Sequence, residues 1–455
     1  MASQRRKRNL RGKRMNPMRL IALTFAGMIL LGACLLSLPA ASRDGVSCGF
    51  RPALFTATSS TCVTGLVLYD TWTQWSSFGQ AVIICLIEIG GLGFMSAASL
   101  VIFLFRRKVG LKQRMVMAQA LSVDDMQSVV KLQKWVLLGS LSIQAVGALV
   151  LFLRFLPEYG PSQAAVWGAF HAISAFCNAG FDIFGSIEPG QSIAVFNNDP
   201  VVCITLMMLI ILGSLGFFVW EEIARVHRFK KFSVYTKLVL ITTAVLLVGG
   251  ALLILTLEWS NPATLGQMPV WQKVLNSFFQ STTLRTAGFA SFDQAGLTEG
   301  GKAVSMLLML IGGSSGSTAG GMKTVTFLVI MLFVATRLRG RSQVTVFKRS
   351  ILPEKVMDAM MIAFVMIGLS LFGAVVICTT SPISFTDGLY ESVSAIATVG
   401  VTAGATTSLS IPAQLLMILF MYFGRVGILT ISLGFLMSDR AEERFRYAHT
   451  NLLIG

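Results

Sequence analysis

Four short segments that end in glycine recur along this 455-residue chain at nearly constant spacing. Their glycines lie 115, 108 and 112 residues apart, which indicates one structural unit repeated four times. Each segment closes a moderately apolar stretch too short to cross a bilayer, and each lies between two longer apolar stretches. The segments are Val63-Thr64-Gly65, Asn178-Ala179-Gly180, Thr286-Ala287-Gly288 and Thr398-Val399-Gly400.

This spacing predicts a ring of four re-entrant loops around one path. In a bilayer, non-helical backbone is tolerated only where it is buried in protein or lines a water-filled cavity. Backbone carbonyls that surround such a path replace the hydration shell of an ion. We therefore predict an all-α polytopic membrane protein with four tandem helix–pore-loop–helix units arranged pseudo-fourfold around one central pore, whose twelve segment residues form a cation-binding selectivity filter.

Composition supports a membrane protein independently of the motifs. Hydrophobic residues make up 54% of the chain and charged residues only 13%, whereas soluble domains carry roughly 25% charged residues. Apolar stretches long enough to cross a bilayer predict eight spans, which would place both ends of the chain on one side. The predicted spans are 18–38, 76–105, 132–156, 200–224, 235–258, 302–336, 356–378 and 411–437.

The distribution of basic residues predicts the orientation. The two tails and the linkers on one predicted face hold 29 of the 37 Lys and Arg residues, so this face is expected to be cytoplasmic. Acidic residues such as Asp70, Asp182 and Asp293 fall on the opposite face, where they would concentrate cations at the pore entrance. Because the positive charge is divided among short linkers, a nucleic-acid-binding role has little support.

The spans and charges together predict the domain organisation. Basic residues followed by an apolar stretch resemble a signal peptide, but removing that stretch would leave the first pore loop with one flanking helix, so we keep it as a membrane helix. The predicted parts are a basic tail 1–17, pore unit 1 at 18–105, a linker 106–131, pore unit 2 at 132–226, pore unit 3 at 235–337, a linker 338–355, pore unit 4 at 356–437 and a C-terminal tail 438–455.

A second repeat occurs in the later helix of each unit, which carries a glycine pair. Such pairs are ordinary features of membrane-helix packing, but here they share a register with the filter segments. The pairs lie within 90–93, 213–216, 313–316 and 424–427.

The third unit departs from the others, because ten positions of its later helix hold five glycines and four Ser or Thr residues. Each glycine costs a helix about 1 kcal/mol relative to alanine, so the stretch is expected to unwind and to form a gate in the path below the filter. A phosphate-binding loop is excluded because Met322 separates the last glycine from Lys323. The predicted gate residues are Gly312, Gly313, Ser314, Ser315, Gly316, Ser317, Thr318, Ala319, Gly320 and Gly321, together with Lys323 and Arg425.

Arg425 lies within a predicted membrane helix, where an arginine normally faces a cavity or a partner. One interpretation places its charge in the path below the filter as a barrier to cations. The other has it hold pore-loop carbonyls or a carboxylate such as Glu391. Glu88 is a further intramembrane charge, which could pack through a hydrogen bond or pair with Lys323 or Arg425.

No motif indicates an enzyme, a metal site or a disulfide framework. Seven cysteines show no paired spacing, and although Cys48 and Cys62 both fall on the predicted outer side and could pair, free thiols are favoured. Three histidines are too few for a metal cluster. His171, on the second pore helix, is expected to make a structural hydrogen bond rather than to serve catalysis.

Ordered strings along the chain resemble the Trk/Ktr/HKT superfamily of potassium transporters, most closely its bacterial Ktr-type membrane subunit. They are RTAGF at 285–289, GGSSGSTAGGMKT at 312–324 and GRVG at 424–427, in addition to one filter glycine per unit. The resemblance covers the chain from about residue 18 to its end.

The resemblance implies a K⁺-transporting homodimer in the bacterial cell membrane, multi-pass with both termini cytoplasmic. It implies a cytoplasmic ring of nucleotide-binding RCK-type subunits as the regulatory partner, and Na⁺ as an activator of uptake. Glycine at position 65 implies potassium rather than sodium selectivity. This chain carries no dinucleotide-binding fingerprint, so the nucleotide is expected to bind the partner and not this chain.

The competing function is an ion-coupled secondary transporter, a Na⁺/K⁺ or H⁺/K⁺ symporter with a substrate site at broken helices. Such folds usually show inverted pairs of repeats. Four units in one orientation favour a channel-like path instead.

Overall fold

The computed structural model describes residues 17–93 and 129–427. Helices dominate these residues, and one two-stranded hairpin joins the third and fourth repeats, pairing β1 (Thr345–Val346) antiparallel with β2 (Arg349–Ser350). The predicted all-α fold is confirmed by this helical content. The N-terminal tail up to residue 16, the linker 106–128 and the C-terminal tail lie outside the described residues.

Each of the four repeats contains an outer helix, a shorter pore helix, an extended filter segment and an inner helix. In the first repeat these helices are α1 (Pro17–Leu36), α2 (Phe50–Cys62) and α4 (Ser77–Leu92), and a single turn, α3 (Thr71–Gln74), precedes the inner helix. The helix ends at Leu92, and from residue 94 the predicted span 76–105 lies outside the described residues.

In the second repeat one long helix, α5 (Val129–Cys177), supplies both the outer helix and the pore helix. The two arms meet at Gly160, whose φ of 74° and ψ of 168° are not helical, and prolines flank this bend at Pro157 and Pro161. Proline removes a backbone donor and glycine adopts positive φ without strain, so this short sequence reverses the chain without a loop. The inner helix follows as α6 (Pro200–Leu215) and α7 (Phe217–Val226).

The third and fourth repeats show the same order of helices. The third consists of α8 (Val234–Glu258), α9 (Val270–Thr283), α10 (Glu299–Leu310) and α11 (Thr324–Leu338), and the fourth of α12 (Pro353–Thr380), α13 (Phe385–Ile396) and α14 (Ile411–Val426). Four outer helices thus alternate with four pore helices along the chain, as the fourfold repeat in the sequence predicts.

The inner helices are shorter or broken. Among the described residues, four helices are long and apolar enough to cross a bilayer, namely α1, α5, α8 and α12. A fifth span is reached if α6 and α7, which meet at an angle of 94°, count as one broken span. The inner helices α4, α11 and α14 are apolar but have fewer than 18 residues. The predicted span 302–336 is divided into α10 and α11 by the glycine-rich stretch.

Small residues allow the pore helices to pack closely against their neighbours. Gly90 of α4 lies against the backbone of Thr61 on α2, and Gly373 of α12 lies against Ser392 on α13. A side chain at either glycine would collide with the pore helix, which is why small residues are favoured at such contacts within membranes. Apolar side chains on the outer helices, such as Leu153 and Phe364, are exposed at the surface where lipid is expected.

Candidate ion pathway

The four filter segments have nearly the same backbone conformation. The first residue of each segment is left-handed, with φ of 57°, 61°, 67° and 52° at Val63, Asn178, Thr286 and Thr398. The glycine two residues later also has positive φ, with values of 98°, 68°, 88° and 98° at Gly65, Gly180, Gly288 and Gly400. Left-handed backbone strains residues that carry a Cβ, and strain of this kind occurs at functional sites that the surrounding structure holds in place.

The four glycines converge in a closed ring, in chain order. A Cβ built on Gly65 would lie 3.2 Å from the Cα of Gly180, and one on Gly180 would lie 2.6 Å from the Cα of Gly288. A Cβ on Gly400 would lie 2.9 Å from the Cα of Gly65, which closes the ring. Because no side chain fits between these backbones, the ring depends on glycine in all four repeats.

Backbone carbonyls surround this ring at one level. A Cβ on each filter glycine would also meet the carbonyl oxygen of the residue before the next glycine. These oxygens belong to Ala179, Ala287, Val399 and Thr64. The pore helices end directly before the ring, so their C-terminal ends, which carry partial negative charge, lie beside the carbonyls and favour a cation.

Hydroxyl groups on the pore helices hold the filter segments in place. Ser59 Oγ accepts a hydrogen bond from the Gly65 amide at 3.0 Å, and Ser394 Oγ accepts one from the Gly400 amide at 3.1 Å. In the second repeat, Ser174 Oγ donates to the Phe181 carbonyl at 2.7 Å. All three serines precede their filter glycine by six residues. We did not predict this role from the sequence, although the constant offset was visible there.

Two buried side chains on the pore helices hold the loops that follow the filter. His171 accepts a hydrogen bond from the Ile183 amide at 3.2 Å, and its Nδ1 lies 2.7 Å from the Trp167 carbonyl oxygen. The predicted structural hydrogen bond of His171 is therefore present. Glu391 accepts a hydrogen bond from the Ala403 amide at 3.0 Å in the fourth repeat. Glu391 lies nine residues before its filter glycine, as His171 does. It binds this loop and is not a partner of Arg425.

An acidic vestibule lies on one side of the ring. It is a cavity of about 420 Å³ lined by the four filter glycines and by Asp70, Asp182 and Asp293, and its described lining includes no Lys or Arg. Asp70 is fixed by backbone amides of both the first and second repeats, including those of Thr73 at 2.8 Å and Gly190 at 3.1 Å.

Asp182 is the vestibule residue whose ionisation differs most from that of a free side chain. It follows the filter glycine of the second repeat by two residues. Burial, together with the negative charge of Asp70, raises the pKa of Asp182 to about 7, although hydrogen bonds from the Phe184 amide and the Ser192 hydroxyl oppose this shift. Its charge therefore changes near neutral pH.

The glycine-rich stretch between α10 and α11 is an ordered, non-helical loop, which we call the gate loop (312–321). Its two ends are held together, because the Gly312 amide donates to the Met322 carbonyl at 2.8 Å and the Thr324 amide donates to the Gly313 carbonyl at 3.0 Å. The end of α10 and the start of α11 therefore lie side by side, and the loop projects from that one place.

The gate loop lies against the filter on the side opposite the vestibule, which we call the inner side. Thr318 Oγ1 is 3.3 Å from Asn178 Oδ1, at the first filter position of the second repeat. A Cβ on Gly320 would collide with the Thr398 side chain in the fourth repeat, and one on Gly312 would lie 3.3 Å from Thr286 Cγ2 in the third. The loop thus touches the filter segments of three repeats.

Arg425 connects the gate loop to the first repeat. Its guanidinium donates to the Thr318 carbonyl of the loop, to the Gly90 carbonyl at 2.5 Å and to the Gly91 carbonyl at 2.9 Å. These acceptors differ from both sets that the sequence suggested, since none belongs to a filter segment and none is a carboxylate. The positive charge nevertheless lies beside the gate loop, on the inner side of the filter.

Two other intramembrane charges, Lys323 and Glu88, do not pair with each other, and of the two alternatives for Glu88 the packing hydrogen bond is the one present. Lys323 Nζ donates to the Ala319 carbonyl at 2.8 Å, within the gate loop itself. Glu88 accepts hydrogen bonds from Gln144 at 3.0 Å and from the Cys177 thiol at 3.3 Å, rather than pairing with Lys323 or Arg425.

The glycine pairs of the inner helices mark the points where these helices end. The last glycine of each pair has positive φ and extended ψ: 83° and 144° at Gly93, 90° and 142° at Gly216, and 92° and 131° at Gly427. The sequence revealed the common register of these glycines but not that they terminate helices. In the third repeat the corresponding stretch is the gate loop.

All seven cysteines fall within the described residues and are free. The placement of Cys62 on the outer side is wrong, because Cys62 is the last residue of pore helix α2 and is buried beside the filter. A pore helix carries the chain from the surface down to the filter, so its two ends lie at different depths. No cluster of metal-binding side chains occurs among residues 17–93 and 129–427.

The repeats, the glycine ring and the gate loop define a four-repeat pore-loop membrane protein. The TrkH family of cation transport proteins matches residues 20–444. The match covers nearly the whole chain, and the chain belongs to this family.

Individual relatives agree with this assignment. The potassium/sodium uptake protein NtpJ of Enterococcus hirae is 39% identical over 97% of this chain and 98% of its own length. The Ktr system potassium uptake protein B of Bacillus subtilis is 38% identical over 95% of this chain and 96% of its own length. The crystal structure of the potassium transporter TrkH from Vibrio parahaemolyticus shares the fold, with a TM-score of 0.72 at 16% identity over 94% of this chain and 86% of that one.

Proposed function

We propose that this chain is the potassium-selective ion-translocating subunit of a potassium uptake system. The closed ring of Gly65, Gly180, Gly288 and Gly400 carries the proposal, because it aligns four backbone carbonyls with the C-terminal ends of four pore helices. The relatives named above are called potassium or potassium/sodium uptake proteins, which supports K⁺ as the ion.

In this proposal K⁺ gathers in the acidic vestibule and loses its water to the carbonyls of the twelve filter residues. Asp70, Asp182 and Asp293 attract the cation, and the absence of basic side chains from the described lining leaves that attraction unopposed. These carbonyls, among them the four that surround the glycine ring, then take the place of the hydration shell.

The gate loop, together with Lys323 and Arg425, closes the inner end of this path in the proposal. The loop touches the filter segments of three repeats, and Arg425 joins its Thr318 carbonyl to Gly90 and Gly91 of the first repeat. Opening then requires the loop to leave the inner side of the filter. The Arg425 charge adds an electrostatic barrier at the same place.

Further parts of the proposal rest on the family resemblance. The subunit works as a homodimer in the bacterial plasma membrane, with both termini in the cytoplasm. A cytoplasmic nucleotide-binding ring of RCK type regulates the gate, and Na⁺ stimulates uptake. The name of the Enterococcus hirae relative, which mentions both potassium and sodium, supports a role for sodium.

The test is passive flux in liposomes that contain the purified full-length chain. A K⁺ gradient alone is expected to drive K⁺ flux that greatly exceeds Na⁺ flux, and a regulatory ring added to the protein is expected to change its rate. Adding Na⁺ to both sides should raise the rate of K⁺ flux, but K⁺ flux should also occur without Na⁺.

An ion-coupled symporter is the second candidate, favoured by the break at Gly216 between α6 and α7. A symporter requires a fixed stoichiometry, so K⁺ flux that stops completely without a Na⁺ or H⁺ gradient would replace the pore proposal with this one.

A further inference from the structure

The tip of the gate loop, residues 314–316, is attached to the broken inner helix of the second repeat and to the outer helix of the third repeat. The Ser314 amide donates to the Ser214 carbonyl on α6 at 2.9 Å. The Gly316 carbonyl accepts from the Phe217 amide, the first residue of α7, at 2.8 Å. The Ser315 carbonyl accepts from the Tyr235 hydroxyl at 3.1 Å.

Tyr235 is the side chain among these contacts that a conservative substitution can remove. It lies in the first turn of α8, on the inner side, and it is partly buried. Its phenol reaches from the third repeat's outer helix to the loop tip, so the bond joins the base of α8 to the gate. The other two contacts are made by backbone groups, which substitution leaves in place.

A carboxylate joins α7 to the same turn of α8. Glu222 of α7 accepts hydrogen bonds from the Ser233 amide at 2.5 Å, the Ser233 hydroxyl at 2.7 Å and the Thr236 hydroxyl at 2.5 Å. Ser233 is the N-cap of α8, so Glu222 fixes the helix start from which Tyr235 projects.

The ring of Phe218 completes the arrangement. A Cβ on Gly316 would lie 2.9 Å from Phe218 Cε2, so the phenyl ring of Phe218, on α7, lies directly against the loop tip. Gly316 has a φ of 70°, which a residue with a side chain adopts only with strain. The tip is therefore shaped to fit against α7.

We propose that α7 and the first turn of α8 form a clamp that holds the gate loop tip, with Tyr235 and Glu222 as its positioning residues. This inference rests on the proposed gating role of the loop. The Tyr235 hydroxyl bond exists while the loop lies under the filter and breaks when the tip moves away. The bond therefore stabilises the closed arrangement and sets how often the path opens.

The clamp also provides a route to the gate from the inner surface. Residues 227–233, which join α7 to α8, are largely exposed and include Arg228, Lys230 and Lys231. Any movement of this linker changes the relative positions of Glu222 and Tyr235, and thereby the position of the loop tip.

The decisive variant is Tyr235→Phe, which removes one hydroxyl and keeps the ring. Tyr422→Phe is the matched control, because the Tyr422 hydroxyl also donates to a backbone carbonyl, that of Ala22 at 2.8 Å, away from the gate loop. One such bond contributes enough free energy to change an equilibrium roughly twofold to tenfold. In liposomes, maximal K⁺ flux through the full-length Tyr235→Phe protein should rise by about that factor, with the half-saturating K⁺ concentration and the K⁺/Na⁺ preference unchanged.

Glu222→Gln should raise flux in the same way, whereas Glu221→Gln on the neighbouring position should not, because Glu221 makes none of these bonds. The clamp is refuted if Tyr235→Phe conducts at the rate of Tyr422→Phe, if both phenylalanine variants rise equally, or if Tyr235→Phe lowers flux. A variant lacking the gate loop separates the two ideas. If that deletion raises flux while Tyr235→Phe does not, only the clamp fails, whereas an unchanged flux after deletion contradicts the gate itself.

Discussion

Substituting Gly65 with serine tests the carbonyl ring most directly. Gly65 has a φ of 98°, and left-handed backbone costs a residue with a Cβ about 1–2 kcal/mol. A Cβ there would also lie 2.5 Å from the Ala179 carbonyl oxygen, whereas real Cβ atoms essentially never lie within 3.0 Å of a non-neighbouring heavy atom. The carbonyl must therefore move by about 0.5 Å, which follows from the same two distances.

That displacement acts on a group that we expect to bind the ion. Misplacing a preorganised group by about 1 Å costs roughly a hundredfold in function, so a shift of half that size is expected to lower the K⁺/Na⁺ preference of Gly65→Ser about tenfold, equivalent to about 1.4 kcal/mol. The measurement is competitive uptake of K⁺ and Na⁺ into liposomes.

Gly45→Ser is the matched control for backbone strain. Gly45 also has positive φ, 71°, but a Cβ there would meet nothing within 4 Å. This variant carries the conformational cost without displacing a filter carbonyl, so its selectivity should equal that of the unmodified protein. An unchanged K⁺ preference in folded Gly65→Ser, or an equal loss in Gly45→Ser, would remove Gly65 from the filter.

Three further predictions concern the two ends of the path. Replacing residues 312–316 with alanine should change the maximal K⁺ flux without altering ion preference, and a variant that keeps both its rate and its response to a regulatory partner would show that the stretch only packs. Arg425→Ala should raise flux, because at an effective dielectric constant of ~20 a unit charge ~8 Å from K⁺ repels it by about 2 kcal/mol. Reduced transport together with lost K⁺ preference in a folded protein would instead favour a role for Arg425 in anchoring the backbone around the pore. Asp182 is about 90% ionised one pH unit above its pKa of about 7 and about 10% ionised one unit below it. Uptake from low K⁺ should therefore fall severalfold as vestibule pH drops from about 8 to about 6, whereas Asp182→Asn should give a flat profile; an equal pH response in both proteins would assign the titration to another group.

The fourfold architecture could be predicted from the sequence because each repeat depends on a chemical property of its own residues. Glycine is the residue that takes positive φ freely and admits a neighbouring backbone at close range, so Gly65 and its three counterparts occur once in each repeat, at nearly constant intervals. The unwinding of residues 312–321 could also be predicted from the sequence, because clustered glycines weaken a helix locally. Both predictions use information contained within a few residues of the chain.

The partners of buried polar groups could not be predicted in the same way. Arg425 was expected to face the path, a pore loop or Glu391, yet it binds carbonyls of Thr318, Gly90 and Gly91. These residues are 107 to 335 positions away in sequence. A carbonyl acceptor is present at every residue and leaves no compositional signal, so only the folded chain identifies which one is within reach.

The sequence by itself therefore determined the class of fold, the four repeated glycine segments and the location of the non-helical glycine-rich stretch, since each follows from local backbone preferences. The tertiary structure alone decided that the gate loop lies against the inner side of the filter, that the tip contacts Tyr235 and Phe217, and that Glu391 holds a post-filter loop rather than Arg425. Such contacts join segments far apart in sequence. Their geometry depends on how the four repeats, each of which can be recognised from its own sequence, pack around one axis.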